Sequence, residues 1–272
     1  MKKIVLIAAI LILLAVFCFS GWQVYKIWNE YRIGQMTYAA LDTYVKIPET
    51  TVPAQTQKAD NTEATEAPEE EQAVSDILWP EVDFDALRQI NSDVVGWLYI
   101  EGTQVNYPIL QGKDNNQYLY RMIDGKHNSA GSLFLDAGIA PDFSGQNNPV
   151  YGHNMKNGSM LAGITGYKKQ AFYEEHPVAL LMTPEQNYQI LIFSAYVMDA
   201  SGDAWETEFP EQTLQPWLDQ RMRKSYISAD VIPTTRDKIV TLSTCTYETR
   251  NSRFLVHGIL VPEGKPVKNT AD

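Results

Sequence analysis

Two residues near the end of the chain have the types and spacing of a nucleophile and its partner. Cys245 ends the β-rich run TLSTC, and Arg253 begins the next run, RFLVHG. If the two runs pair as a hairpin, these side chains come together, and strand alternation places Thr241, Ser243 and Cys245 on one face. A thiol nucleophile needs a nearby base or cation, because free cysteine is only a few per cent ionised at neutral pH. Arg253 could supply that cation, hold a substrate carbonyl or stabilise an oxyanion.

Each of these residues also has a structural interpretation. A lone cysteine is often a small buried hydrophobe, and Arg253 could form a surface ion pair with Glu248. A disulfide is not expected, because the second cysteine, Cys18, lies in an apolar run at the far end of the chain. Cysteine phosphatases place five residues between cysteine and arginine, whereas four separate Cys245 from Arg250 and seven separate it from Arg253. A phosphate-binding loop is therefore excluded.

Four histidines are available as proton carriers. His153 lies in NPVYGHNMKNG, where a strand runs into a Gly- and Asn-rich loop, a place at which a rigid scaffold presents functional side chains. His127, in a polar GKHN turn, and His176, before a proline in an acidic stretch, are expected to be solvated loop residues. His257 follows the arginine by four strand positions, about 13 Å, and is expected to be structural. Spacing alone does not bring His153 to the cysteine.

Short β-rich runs separated by Gly, Pro and Asn are expected to position these side chains. About eight such runs follow one another, which predicts a mainly β fold closed into an antiparallel or mixed barrel. The runs begin at Val94, Gln104, Gly131, Asn148, Val178, Tyr188, Lys238 and Arg253.

Two helices are predicted beside the strands. Asp83 is expected to cap a short helix whose apolar residues recur every three positions. Residues 210–225 carry Leu, Trp and Met near one helical face. The second helix is therefore expected to be inserted before the cysteine strand.

The first 22 residues predict a transmembrane anchor. Two lysines precede an unbroken apolar run from Ile4 to Phe19, and the segment as far as Trp22 would give about 28 Å of helix, enough to span a bilayer. A cleaved signal peptide is the alternative, but its apolar stretch is usually shorter and ends in small residues. The lysines favour a cytoplasmic N-terminus. The chain beyond residue 22 is then expected outside the cell.

The remaining sequence divides by composition. Residues 23–45 are expected to form a juxtamembrane helix that begins with an aromatic belt, and 46–78, rich in Thr, Pro, Ala and acidic residues, to be a disordered tether. Residues 79–264 form the expected globular domain, followed by a tail, 265–272. We expect a fragment beginning near Trp79 to fold by itself.

Composition limits the possible functions. The chain has 272 residues, of which 44% are apolar, so one substantial domain fits beside the non-globular segments. Its net charge of −11 gives no electrostatic basis for binding nucleic acid. No zinc-type spacing of Cys and His occurs, so neither a metal nor a cofactor is expected.

Three segments together resemble the signature segments of the sortases. They are YGHNM around His153, TLSTC ending at Cys245 and RFLVHG beginning at Arg253, in that order. The N-terminal anchor, the extra N-terminal helix, the TLSTC spelling and the late helix resemble class B sortases in particular. The likeness covers about residues 79–262 and implies an eight-stranded sortase barrel in which His, Cys and Arg converge in a groove.

The resemblance also implies a reaction and a set of site residues. Cys245 would attack the peptide bond after Thr in an LPxTG-like or NPxTN-like sorting signal and form a thioacyl intermediate. His153 would protonate the departing amine and later take a proton from the incoming one, while Arg253 would orient the signal and stabilise the oxyanion. The positions that match the substrate-binding residues of the family are Asn115, Leu119, Ser243 and Trp205.

The implied partners are surface proteins with a C-terminal sorting signal and an amine acceptor. The acceptor would be a peptidoglycan precursor such as lipid II, or a pilin lysine in a pilin-polymerising sortase. A secreted thiol hydrolase would instead release the acid to water, and a non-catalytic binding barrel would tolerate the loss of Cys245. The sorting motif, the acceptor and the anchored protein stay open at this point.

Overall fold

The computed structural model of the chain describes residues 2–48, 77–246, 248 and 251–265. Most of the predicted tether and nearly all of the predicted tail lie outside these residues. The helices are α1 (Lys2–Ala39), α2 (Phe84–Ile90), α3 (Gln170–Glu175) and α4 (Leu214–Lys224), with 3-10 segments at Ala40–Tyr44 and Leu161–Lys168.

Eight strands close into a barrel. The strands are β3 (Val94–Tyr99), β4 (Asn106–Leu110), β5 (Leu133–Leu135), β6 (Asn147–Tyr151), β7 (Val178–Met182), β8 (Tyr188–Asp199), β9 (Ile239–Cys245) and β10 (Ser252–Pro262). Each strand coincides with one of the β-rich runs, so the predicted fold class is confirmed. Their order around the barrel is β10-β8-β7-β3-β4-β5-β6-β9. The pairs β4–β5 and β6–β9 are parallel and the others are antiparallel, which makes the barrel mixed. A separate two-residue pair joins β1 (Val45–Lys46) to β2 (Glu81–Val82).

A glycine allows the two longest strands to pack closely. The register of β10 against β8 shifts between His257 and Gly258. A Cβ at residue 258 would overlap the side chain of Ile190 on β8. The absent side chain therefore lets β8 and β10 stay paired along almost their whole length, and β10 carries Arg253 at its beginning.

The two predicted helices are present. Asp83 caps α2, since its carboxylate accepts a hydrogen bond of 2.9 Å from the backbone N–H of Ala86. The late helix α4 begins at Leu214, four residues after the predicted start, because Thr213 bonds back to the carbonyl of Pro210 and closes a turn there. Its buried face is formed by Leu214, Trp217, Leu218 and Arg221.

The N-terminal helix differs from the sequence expectation. The anchor and the juxtamembrane helix were expected as separate elements, but α1 is continuous from Lys2 to Ala39. Its apolar N-terminal part is long enough to cross a membrane and is not buried by the rest of the protein. The following residues pack on the barrel, where Tyr38, Leu41 and Val45 are only 4–7% exposed. A fragment beginning at Trp79 would lack these three buried side chains, and its folding stays a prediction.

Candidate active site

Barrel closure places the cysteine strand between the strands that carry the other two reactive side chains. β9 lies between β6 and β10. On the β10 side the register sets Cys245 directly opposite Arg253, as the hairpin argument predicted. On the β6 side Tyr151 is level with Ser243, so the chain reaches the level of Cys245 two residues after Tyr151.

His153 occupies that level beside the cysteine. The backbone N–H of Gly152 still bonds to the carbonyl of Ser243, 3.1 Å, so β6 follows β9 up to the histidine. The side chain of Asn154 then donates a 2.9 Å bond to the carbonyl of Cys245. Neighbouring strands lie about 4.8 Å apart, so the histidine and the cysteine are presented side by side at the same edge of the barrel.

All seven residues singled out in the sequence line one cavity of about 410 Å³. Cys245, His153 and Arg253 are each half-buried in the wall of this cavity. The residues predicted from the sequence that line it are Asn115, Leu119, His153, Trp205, Ser243, Cys245 and Arg253. Five further lining residues were not predicted: Phe134, Tyr151, Gly152, Ala200 and Thr244.

The imidazole of His153 is held by the segment that precedes β5. Its Nε2 lies 2.7 Å from the carbonyl oxygen of Leu119. A carbonyl can only accept, so Nε2 carries the proton and Nδ1 is the nitrogen left to exchange a proton with the groove. The ring of Tyr120 packs against the imidazole, with the two centroids 5.4 Å apart. These contacts fix both the tautomer and the plane of the ring.

A carboxylate orients the polar floor of the groove. Asp136 accepts hydrogen bonds of 2.8 Å from the Asn115 side chain and from the Tyr151 hydroxyl. Burial and the adjacent Asp136 carboxylate raise the pKa of Tyr151, so this hydroxyl remains a donor. Strand alternation could have identified Tyr151, because it stands two residues before His153 and so lies on the same side of the strand.

Trp205 lies over the cysteine strand because hydrogen bonds hold its side chain and its loop there. Its indole N–H donates a 3.1 Å bond to the Ser243 hydroxyl. The buried side-chain amide of Asn147 donates to the carbonyls of Ala204, 3.2 Å, and Glu206, 2.8 Å. The β8–α4 connection therefore forms one wall of the groove.

The surface ion pair considered for Arg253 is not present. Glu248 pairs with Lys168 at 2.5 Å. The guanidinium of Arg253 donates a 3.1 Å bond to the carbonyl of Ser252. Hydrogen bonds from Ser201, with a smaller contribution from Arg253, lower the pKa of the nearby Asp199 carboxyl. Within the described part of the chain, the Ser252 carbonyl is the hydrogen-bond acceptor of this guanidinium, and a planar group with five N–H donors thus stands opposite the thiol.

The other three histidines lie outside the groove. His257 is fully buried, and its ring nitrogens lie 3.0 Å from the Tyr196 hydroxyl and 2.9 Å from the Thr241 hydroxyl. His127 is exposed, as predicted. The expectation of a solvated His176 is wrong, because its ring packs against Phe172 with centroids 4.5 Å apart and its side chain is 16% exposed.

Comparison with known proteins agrees with this geometry. A family model described as Sortase domain matches residues 98–261. Sortase B of Staphylococcus aureus is 38% identical over 176 residues, which are 64% of this chain and 72% of that protein. A structure of the Staphylococcus aureus sortase B–substrate complex matches with a TM-score of 0.64 and 36% identity, over 66% of this chain and 85% of that one.

A structure of sortase B complexed with triglycine matches with a TM-score of 0.63 and 36% identity, over 66% of this chain and 86% of that one. The match to the Sortase domain covers more than half of the chain, and both the related sequence and the related structures are sortase B proteins. The chain therefore belongs to the sortase family and, within it, to class B, whose members are cysteine transpeptidases.

Proposed function

We propose that Cys245, His153 and Arg253 are the catalytic residues of this transpeptidase. In the form with Cys245 as thiolate and His153 as imidazolium, the sulfur attacks the carbonyl carbon of the peptide bond after Thr. Guanidinium N–H groups of Arg253 stabilise the oxyanion. The C–N bond then breaks, and His153 gives a proton to the departing amine. The observation that carries the proposal is the placement of all three side chains in one open groove by adjacent strands.

The second half of the reaction reverses the proton transfers. An incoming primary amine attacks the thioacyl carbonyl, His153 takes a proton from the amine, and the C–S bond breaks to return the Cys245 thiolate. The product contains a new amide between the Thr carbonyl and the acceptor. No cofactor is needed, because every electron pair and proton in this sequence comes from the thiol, the imidazole or the substrates.

The substrate we propose is an LPxTG-like or NPxTN-like signal at the C-terminus of a surface protein. The groove offers apolar contacts from Leu119, Phe134 and Trp205 and polar groups from Asn115 and Ser243, a combination that suits an extended peptide with alternating apolar and polar residues. A related sortase B has been solved with a substrate, which supports a peptide in this groove.

The acceptor we propose is the cross-bridge amine of a peptidoglycan precursor such as lipid II. Support comes from the related sortase B structure solved with triglycine, since a short glycine peptide ends in an unhindered primary amine. A pilin lysine is the acceptor that a pilin-polymerising enzyme would use instead.

We further propose a single-pass membrane protein in a Gram-positive bacterium, with the N-terminus in the cytoplasm and the barrel outside. The apolar part of α1 is long enough to cross a membrane, and Lys2 and Lys3 flank it on the proposed cytoplasmic side. Alkaline carbonate extraction of membranes tests the anchor. The full chain should stay in the pellet, and release of the intact protein would contradict the proposal.

Peptide cleavage by the full chain in detergent tests the catalytic assignment. Cys245→Ala should abolish both cleavage of LPxTG and NPxTN peptides and the thioacyl adduct seen by mass spectrometry, and His153→Ala should come close to it. Cys18→Ala is the matched control, because this second cysteine lies on the exposed part of α1. Cleavage by Cys245→Ala at the wild-type rate would rule out the covalent mechanism. Peptide binding without cleavage by both the wild type and Cys245→Ala would favour a binding barrel.

Product analysis with different acceptors separates the reaction types. Triglycine, a lysine-containing pilin peptide and water alone are offered to the same enzyme. We expect amide formation with triglycine to exceed release of free acid. Amide formation only with the lysine peptide would identify a pilin polymerase, and free acid in every case would identify a thiol hydrolase.

A further inference from the structure

The part of α1 that follows the apolar span is docked on the loop between β4 and β5. The side-chain amide of Asn128 donates a 3.0 Å bond to the α1 carbonyl of Glu30 and accepts one of 2.9 Å from the N–H of Ala130. A Cβ at Gly34 would stand 3.3 Å from the Asn128 side-chain oxygen and 3.5 Å from the Ala130 Cβ. Gly34 therefore lets the helix backbone lie directly against the 128–130 turn, and Asn128 is 1% exposed at this contact.

Tyr38 makes the second link between α1 and this loop. Its hydroxyl donates a 2.5 Å bond to the carbonyl of Gly131 and lies 2.9 Å from the Ser132 hydroxyl. The Ser132 hydroxyl in turn donates to the carbonyl of Arg121 at 2.8 Å. Burial raises the pKa of Tyr38, so it stays protonated and remains a donor throughout the working pH range.

The same loop holds the imidazole of His153. Its outgoing part supplies the Leu119 carbonyl and the Tyr120 ring, which contact His153. Its returning part is paired with the outgoing part, since Asn128 N–H bonds to the Tyr120 carbonyl at 3.0 Å and Ser132 N–H bonds to the Tyr118 carbonyl at 3.1 Å.

Gly131 makes this pairing unusually close. Its φ is +57°, and a Cβ there would overlap the Leu119 carbonyl oxygen. The residue that accepts from Tyr38 thus lies against the carbonyl that accepts from His153. One folded loop separates α1 from the histidine, and it is bonded to both.

We infer that Tyr38 is a positioning residue for His153. By donating to Gly131, it holds the Leu119 carbonyl where it accepts from Nε2, so that Nδ1 is the nitrogen left for proton exchange in the groove. The inference rests on the proposed role of His153 in proton transfer. It makes the juxtamembrane part of α1 a component of the catalytic apparatus as well as a spacer.

The test compares two substitutions that remove the same chemical group. Tyr38→Phe removes a buried hydroxyl that donates to the backbone carbonyl of Gly131. Tyr167→Phe is the control, because it removes a hydroxyl that donates to the His176 carbonyl at 2.7 Å, away from the β4–β5 loop. Both variants are made in the full chain in detergent. The free energy of one neutral hydrogen bond corresponds to a change of about three- to tenfold in a rate constant. We therefore expect kcat to fall by that factor for Tyr38→Phe, with KM for the peptide unchanged.

Histidine ¹⁵N spectra report the mechanism of the effect directly. The His153 population protonated at Nε2 should decrease in Tyr38→Phe, whereas Tyr167→Phe should keep both the wild-type tautomer and the wild-type kcat. The inference is overturned if Tyr38→Phe has the kcat and the His153 spectrum of the Tyr167→Phe control. Activity in His153→Ala would instead refute the proposed catalytic role, and the tautomer spectrum would still decide whether Tyr38 orients the ring.

Discussion

At the scale of single residues, the backbone does most of the orienting in the groove. The Leu119 carbonyl holds the His153 ring, and the Ser252 carbonyl holds the Arg253 guanidinium. The carbonyl of Cys245 is itself held by the side chain of Asn154. Cys245 and Ser252 belong to barrel strands, and Leu119 belongs to a loop that is hydrogen-bonded to itself and to α1. The reactive atoms are therefore placed before substrate arrives, and such positioning lowers the barrier to reaction.

Arg253→Lys tests whether geometry or charge matters opposite the thiol. Lysine keeps the positive charge but loses the planar fork that can donate two parallel hydrogen bonds. Because loss of a directed oxyanion donor costs about 10²-fold or more, we expect kcat for peptide cleavage to fall by at least about tenfold. Iodoacetamide modification of Cys245, measured beside it, should change far less. Normal cleavage by the lysine variant would show that charge alone suffices.

His257 predicts how stability depends on pH. Complete burial, helped by the positive Arg221, holds the pKa of His257 well below its usual 6.5. The native state keeps this ring neutral, while in the unfolded chain it takes up a proton as the pH decreases below about 6.5. The free energy of unfolding should therefore fall in that range. This group contributes at most about 1.4 kcal/mol per pH unit. Urea unfolding between pH 7 and pH 5 measures the slope.

Two glutamine variants isolate that contribution. His257→Gln should flatten the slope, because the buried titrating group is gone. His127→Gln, at an exposed position, should leave it as in the wild type. Identical slopes in the wild type and His257→Gln would mean that another group dominates the acid response.

At the scale of elements, a buried arginine attaches α4 to the loop that carries Trp205. Arg221 is fully buried, pairs with Asp203 at 2.6 Å, and its guanidinium carbon stands 4.4 Å from the centroid of the Trp217 ring. Trp217 also donates to the Asp203 carbonyl at 2.9 Å. The position of the groove wall is thereby tied to the packing of the helix behind it.

Removal of Asp203 and removal of Arg221 should lower the free energy of unfolding by different amounts. Asp203→Ala leaves a buried guanidinium without its counter-ion, whereas Arg221→Met leaves a carboxylate that is 42% exposed and can be hydrated. We expect unfolding free energy to fall by about 2 kcal/mol for Asp203→Ala, a value reduced for solvent screening, and by about 1 kcal/mol or less for Arg221→Met. Urea unfolding of the full chain in detergent compares them. A larger loss in Arg221→Met would contradict this account.

At the scale of the whole molecule, the membrane-proximal segment and the barrel share a core. Tyr38, Leu41 and Val45 are buried against the barrel, and β1 pairs with β2 after the predicted tether. The end of α1 and the segment up to Lys46 therefore pack as one unit with the barrel.

Two truncations test this shared core. A fragment beginning at Trp28 keeps the docked part of α1, and one beginning at Trp79 loses it. Because each buried apolar side chain contributes about 1.5–3 kcal/mol, the shorter fragment should lose roughly 5 kcal/mol of unfolding free energy, a large share of the total for a domain of this size. Urea midpoints and size-exclusion chromatography check this, and equal midpoints would show that the α1 contact adds no stability.

The sequence by itself determined the features that depend on neighbours along the chain. Alternating and apolar runs predicted each of the eight barrel strands, the short run between Cys245 and Arg253 predicted their pairing, and Asp83 predicted a helix cap. These features follow from strand periodicity and local hydrogen bonding, which a few residues specify.

Only the tertiary structure decided the contacts that cross the barrel. His153 reaches the cysteine level because β6 pairs with β9 in parallel, an arrangement that exists only once the barrel has closed. The bonds from His153 to Leu119 and from Tyr38 to Gly131 join residues 34 and 93 positions apart. In the sequence, Tyr38 belongs to a juxtamembrane segment and nothing marks it as a neighbour of the site. Such pairings depend on how the whole chain packs, and local patterning carries no record of them.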